Sequence, residues 1–342
     1  MNETMIYILE FAKKILAIPS PSGFSENVIK TIVEEAKRLD FPVTLSNKGN
    51  AIITVSGKTD VVLGLSGHVD TLGAMVKSIT AEGNLRFTTI GGPIWPTLDG
   101  EYLTISTRSG KEYTGTFLST SPSSHVFKDA SSKERTPDQM IIRIDELVKS
   151  KSDVEKLGIA PGDFIFFDPK TTITPSGFIK SRFLDDKISV AILFGLLKEI
   201  NDQNIIPQKT IKIIISTYEE VGHGASHLPH LDEMIAVDMG CIGDDLSCTE
   251  EMVSICCKDS SGPYDYQIVS KLVKLSQSNN LAFATDIYPF YGSDVSSALR
   301  GGNDIKGGLI GPGVHASHGM ERTHVKALEN TLSLLLSYIK AK

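Results

Sequence analysis

A histidine and an aspartate two residues apart, His68 and Asp70, follow a short apolar run, Val61-Val62-Leu63-Gly64-Leu65. The run reads as a buried strand that stops at Ser66-Gly67, so both side chains arrive at a strand's C-terminal end. Open α/β sheets collect ligands and catalytic groups at that edge. In a His-x-Asp pair the imidazole can bind a metal ion while the carboxylate fixes its tautomer. Further polar motifs fall at similar places. Asp185-Asp186 lies immediately before a helix, where an N-cap role accounts for one aspartate but not for two. Glu219-Glu220 ends the most hydrophobic strand in the chain; adjacent glutamates there repel and lose hydration unless a cation compensates. Asp238 ends the next strand, and His315-Ala316-Ser317-His318-Gly319-Met320-Glu321 forms a glycine-rich loop before the last helix.

Imidazole and carboxylate without thiolate suit zinc, cobalt or manganese and exclude a cysteine-rich structural zinc site. Two ions about 3.5–4 Å apart need a bridging carboxylate, and such sites activate water for hydrolysis. A further acid that binds no metal would serve as general base, and the paired glutamates supply one residue for each task.

Composition narrows the class of protein. The 342 residues suffice for two domains, or for one large domain with an insertion. A net charge of −7 argues against nucleic acid as a partner and suits a soluble cytoplasmic enzyme. No apolar run approaches the roughly 20 residues a membrane helix requires. The start, MNETMIYILEFAKKIL, has early acids and no small-residue cleavage site, so no secretory leader is expected. Cys241, Cys248, Cys256 and Cys257 lack CxxC spacing and are expected to be reduced thiols.

The elements around these motifs follow a rhythm that changes twice. Helical stripes at 4–18 and 28–39 precede strands at 51–55 and 61–65. From 72 to 172 helical periodicity nearly vanishes, and short β-like pieces (84–90, 102–105, 113–117, 164–167) alternate with glycine and proline around one helical stretch near 145–157. Ser121 to Arg135 lacks any packing period and reads as a loop. From Thr174 strands at 210–217, 234–238, 282–287 and 307–310 alternate with helices at 186–200, 264–276, 293–300 and 323–340. The expected fold is therefore α/β: a central, mostly parallel mixed sheet with helices on both faces. Residues 1–71 and 173–342 form that domain, and 72–172 a small inserted β-rich one.

The order His-x-Asp, Leu-Asp-Asp, Glu-Glu-x-Gly, Val-Asp-x-Gly and a C-terminal His resembles the dinuclear-metal aminopeptidases that form tetrahedral (TET) particles. That family includes glutamyl and deblocking aminopeptidases, and some of its chains are labelled endoglucanases. Gly158-Ile159-Ala160-Pro161-Gly162-Asp163-Phe164 with Asp168-Pro169, and Tyr291-Gly292-Ser293-Asp294, are similar to further segments of the family, so the likeness covers nearly the whole chain. It implies a zinc-exopeptidase-like fold and a homo-oligomer, a dodecamer, with the insert carrying subunit contacts or a lid. It implies two divalent ions per subunit, Zn2+ first and Co2+ or Mn2+ as alternatives. His68, Asp185 and Asp238 would bind one, and Asp185, Glu220 and His318 the other. Asp70 would orient His68, Glu219 would take the proton from the metal-bridging water, and Asp185-Asp186 would carry a cis peptide. Relatives often show Arg-Tyr-x-His-Ser at the last ligand; here Val314-His315-Ala316-Ser317-His318 leaves His315 and His324 as competitors. His223, His227 and His230 read as loop residues, and the role of Asp294 stays open.

The activity implied is hydrolysis of N-terminal residues from short peptides. The alternatives are a related two-metal amide hydrolase (deacylase or dipeptidase) and a non-catalytic, metal-dependent peptide-binding or assembly protein. A glycosidase would instead need two carboxylates flanking a sugar.

Overall fold

The computed structural model describes residues 2–341. The chain divides into two compact units, one running to Asp70 and resuming at Lys170, the other Thr71–Pro169.

The first unit is built on a mixed sheet whose middle is parallel. Its four central strands lie side by side in the order Lys209–Ser216, Thr59–His68, Glu233–Val237 and Lys306–Val314. Antiparallel strands extend it: Ala51–Val55 and Val43–Leu45 beyond Lys209–Ser216, and Val253–Asp259 beyond Lys306–Val314. Because the middle strands are covered on both faces they read as continuous apolar runs; Ile211, Ile213, Ile214 and Ile215 are all buried. Parallel alignment places all four C-terminal ends on one edge. His68-x-Asp70, Glu219-Glu220, Asp238 and the His315–Glu321 loop each leave one of these strands there.

Asp185 and Asp186 arrive from the helix Leu184–Asp202, which is buried along most of its length. Two glycines let backbone and carboxylate approach the strand ends. A Cβ on Gly67 would stand 3.0 Å from Asp186 Oδ2, and one on Gly311 would stand 1.7 Å from the Asp238 carbonyl oxygen. Lys187, fully buried, donates from Nζ to the carbonyls of Ile15 and Ile18 at 2.9 and 2.7 Å. It adds a donor to the Ile15 carbonyl in the last turn of the first helix, Glu3–Leu16, and another to the Ile18 carbonyl just beyond it. A small three-stranded sheet, Thr172–Ile173, Phe178–Ser181 and Glu321–His324, pairs Ser181 with Glu321. The segment leading to Asp185 is thereby registered against the one following His318.

The second unit is a closed barrel ordered Gly73–Ile79, Leu85–Ile90, Met140–Ile144, Glu112–Ser119, Tyr102–Ser106 and Phe164–Phe167. Its core includes a ring cluster: Phe117 lies edge-on to Phe87 and Phe167 at 5.0 and 5.4 Å, with Trp95 at 5.9 Å. Two of its strands, Gly73–Ile79 and Met140–Ile144, have no alternating pattern long enough to read from sequence. The helix expected near 145–157 is only Lys151–Lys156, because glutamate and lysine there have a single buried apolar anchor, Val154. Among the described residues no helix is long and apolar enough to cross a membrane, and all four cysteines are free.

Candidate metal centre

The central strands and one helix converge on a buried cluster of acids with two histidines. His68, the last residue of its strand, is 1% exposed. Its Nδ1 donates to the main-chain carbonyl of Asp70 at 2.9 Å, with the Asp70 carboxylate 3.5 Å away. That bond orients the ring and turns Nε2 toward Asp185 Oδ1 at 3.2 Å and Glu219 Oε2 at 3.7 Å; protonated, Nε2 donates to Asp185, and deprotonated it offers a lone pair at the same place. The Asp70 carboxylate is committed elsewhere. It accepts the N–H of Glu219 at 3.1 Å, the N–H of Glu220 at 3.2 Å and the Ser22 hydroxyl. Asp70 therefore fixes the tight turn Glu219–Val221 that follows the neighbouring strand.

Asp185 and Asp186 are joined by a cis peptide bond. Asp185 faces both histidines, with His318 Nε2 at 3.6 Å from its Oδ2, and it accepts the Ser317 hydroxyl at 3.0 Å. Asp186 takes the other direction: its Oδ2 accepts the His68 N–H at 3.1 Å. His318 Nε2 is 3.5 Å from Glu220 Oε2. Two sets of donors come within 4.8 Å of one another, His68–Asp185–Glu220 and His68–Asp186–Asp238. The Asp186 carboxylate, not assigned a role from sequence, thus stands with Asp238. Its one legible signal was the doubled aspartate that capping does not explain.

The competing histidines are occupied or turned away. His324 caps the last helix, Val325–Lys340: its Nδ1 accepts the Lys326 N–H at 3.2 Å and its Nε2 bonds the Ser176 carbonyl at 2.9 Å. His315 is exposed and pairs through its backbone with Arg322. His223 is exposed and stacks on Tyr218, and His227 and His230 are exposed too. Asp294 is buried behind the cluster, where it accepts the Ser216 hydroxyl at 2.8 Å. Sequence reasoning assigned nothing to Tyr291 beyond its motif; its hydroxyl donates to the Met239 carbonyl at 3.3 Å beside Asp238.

The electrostatics ask for positive charge. Burial, then the charge of Asp238, pushes Asp186 well above the usual carboxylate range. Burial raises Glu219 and Glu220 in the same way, and raises Asp238 to about 7. Burial opposes ionisation of Asp185 also, but its hydrogen bond to His68 and the charges of both histidines hold it below the usual range. For His68 burial is outweighed by Asp185 and Asp70, which raise it. Within the cluster two buried carboxylate oxygens, Asp186 Oδ1 and Glu220 Oε1, have no hydrogen-bond partner, and Asp294 Oδ1 behind it has none either. Unpaired carboxylate oxygens at the focus of a sulfur-free donor set fit hard or borderline divalent cations. Glu219, Glu220, Asp185, Asp238 and His318 also line a cavity of about 230 Å3, whose opposite wall includes Phe290, Tyr291, Ser297 and Arg300.

An α/β domain with imidazole and carboxylate gathered at the C-terminal edge of its parallel strands defines the class, an enzyme with a candidate metal centre. The chain belongs to the M42 glutamyl aminopeptidase family, whose profile matches residues 49–334, and it is a peptide-bond hydrolase. It is 47% identical over 336 residues, 97% of each chain, to YhfE of Bacillus subtilis (strain 168), which is named as a candidate aminopeptidase. Its fold matches the TET aminopeptidase of the marine sediment archaeon Thaumarchaeota archaeon SCGC AB-539-E09 with a TM-score of 0.88 at 21% identity, covering 97% of this chain and 96% of that one. It matches the Pyrococcus horikoshii TET1 peptidase, described as assembling into a tetrahedron or a large octahedral shell, with a TM-score of 0.85 at 23% identity over 98% and 100% of the two chains.

Proposed function

We propose that this chain is a metal-dependent aminopeptidase that removes N-terminal residues from short peptides. The observation that carries the reading is the buried cluster itself: two histidines and five acids, with two partnerless carboxylate oxygens, opening into one small cavity. In this reading His68, Asp185 and Asp238 hold one divalent ion, and Asp185, Glu220 and His318 the second. Zn2+ is the expected ion, and Co2+ or Mn2+ suit the same donors. Asp186 anchors the backbone of His68 and adds a carboxylate beside Asp238. When bound, the ions polarise the scissile carbonyl and lower the pKa of the attacking water.

The protein's own part follows from the geometry. Glu219 lines the cavity and is held by its backbone to Asp70, with its carboxylate free to accept the proton of the attacking water and pass it to the leaving amine. Burial and neighbouring carboxylates raise its affinity for that proton. A cavity of about 230 Å3 accommodates little more than one residue's side chain beyond the cluster, which favours cleavage of the first peptide bond. The substrate's free α-amine would meet the carboxylates at the cavity floor. The protein would act in the cytoplasm as a homo-oligomer, a dodecamer by likeness to the TET particles, with the barrel Thr71–Pro169 contributing subunit contacts or a lid.

The test is release of free amino acid from paired unblocked and N-acetylated peptides, by protein stripped of metal and then resupplied with zinc or cobalt. The expected result is activity restored by metal on unblocked peptides alone. Cleavage of acetylated peptides at equal rate would instead favour a two-metal amide hydrolase. Absence of cleavage with ions bound would favour a non-catalytic peptide binder.

A further inference from the structure

Glu321 touches neither the cavity nor either proposed ion, yet it is the residue that ties two ligand-bearing segments together. It begins the strand Glu321–His324, and its side chain is 2% exposed. One carboxylate oxygen, Oε2, accepts the backbone N–H of Asp185 at 3.0 Å; the other, Oε1, accepts the backbone N–H of His318 at 3.0 Å. The two ligands are 133 residues apart in sequence and lie on segments of different kind. Asp185 opens a long buried helix, whereas His318 sits in a loop with φ of 63°, closed by reciprocal backbone bonds between His315 and Arg322 at 2.9 and 3.1 Å. That loop is narrow, and His318 has no regular element to hold its backbone. A single carboxylate with both oxygens engaged fixes the separation of the two backbones, and with it the 3.6 Å approach of His318 Nε2 to Asp185 Oδ2.

We propose that Glu321 is a positioning residue that sets the spacing of Asp185 and His318 and thereby selectively supports the ion those two hold together with Glu220. This rests on the two-ion reading above. Two of that ion's three ligands hang on Glu321, but only one, the shared Asp185, of the ion held with His68 and Asp238. Side chains that orient metal ligands without touching the metal typically account for about 10–100-fold in affinity. Glu321→Gln offers one acceptor and turns an amide N–H toward the second backbone N–H, so it keeps the shape and breaks the bridge. Glu321→Asp keeps the charge but is one methylene too short to reach both donors.

The experiment is calorimetric titration of stripped wild-type, E321Q, E321D and H318A proteins with Zn2+, paralleled by the visible absorption of the Co2+ forms. Wild type is expected to bind two ions. E321Q is expected to hold one with little change and the other about 10–100-fold more weakly, with E321D giving the same selective loss should E321Q not fold. The double variant E321Q/H318A should lose less than the sum of the two single losses, because part of the effect of Glu321 runs through His318 and the rest through Asp185. Equal weakening of both ions, unchanged binding of both, or additive losses in the double variant would each overturn the proposal. If wild type itself binds fewer than two ions, the two-ion reading fails, and the proposal with it; selective loss against an intact wild type isolates Glu321.

Discussion

His68 and His318 carry the same ring into one cluster from opposite kinds of backbone. His68 ends a strand in the middle of a parallel sheet, and its side chain is 1% exposed. Its N–H is bound to Asp186 and its ring to Asp70. His318 stands in a loop, in left-handed backbone conformation and with its side chain 36% exposed, and the carboxylate of Glu321, three residues further on, holds its N–H. The sheet places the first ring as a by-product of folding. The second must be placed by side-chain hydrogen bonds. A centre assembled this way has a rigid half and an adjustable half, and the acids shared between them, Asp185 and the Glu219–Glu220 turn, bear on both.

The largest effect expected falls on the group common to both halves. Glu219→Gln should lower kcat by about 10²–10⁴-fold while both ions remain bound, measured by peptide turnover with metal content determined in parallel. Full turnover at equal metal content would remove Glu219 as the base. Next, the two histidines should separate. His68→Ala takes away a ligand of the ion held with Asp185 and Asp238 and should cost more than His318→Ala, which takes away a ligand of the ion held with Glu220, because the His68 ring also lies within 4.8 Å of the Asp185 and Glu220 donors; calorimetry reads the difference. Equal behaviour of the two variants would erase the distinction drawn here.

Asp70→Asn should cost about 10–100-fold in metal affinity or activity. Its amide nitrogen would confront one of the two N–H groups of the Glu219–Glu220 turn that the carboxylate now accepts. A smaller and purely thermodynamic effect concerns pH. In the stripped protein Asp238 is raised from its ordinary range to about 7, and Asp186, Glu219, Glu220 and His68 are displaced upward too. The folded state then binds more protons than the unfolded one between about pH 4 and 7, so these groups make stability fall as pH rises. Asp185, lowered, acts in the opposite sense. The stripped protein should therefore melt at a lower temperature at pH 8 than at pH 5, and added Zn2+ should reverse that order, since ions displace the protons. A stripped protein more stable at pH 8 would contradict the charge balance described.

Much of this was legible in the sequence wherever a strand delivers a side chain to the sheet edge. His68, Glu219, Glu220 and Asp238 follow apolar runs that no membrane or loop reading fits, and the α/β rhythm with its β-rich interruption matches the observed elements. What escaped is what depends on long-range approach. Capping accounts for only one of Asp185 and Asp186, but nothing in the pair tells that the Asp186 carboxylate reaches the backbone of His68, 118 residues away. Ser22 gives no sign of its bond to Asp70, and Glu321 none of its grip on Asp185, because a hydrogen bond between distant segments leaves no periodicity. In the barrel, Met140–Ile144 alternates in burial, but an apolar Ile141 on the half-buried side masks the period, and Gly73–Ile79 begins its buried stretch with glycine and alanine, which carry little hydrophobic signal.

The proposal stands or falls on whether the cluster is a hydrolytic centre that needs two ions. The direct measurement is titration of stripped protein with Zn2+, following bound metal per chain and release of the first residue from an unblocked peptide in the same samples. Two ions per chain are expected, with turnover appearing as the second site fills. Full turnover in protein carrying no metal, or turnover complete at one ion per chain, would contradict the proposal.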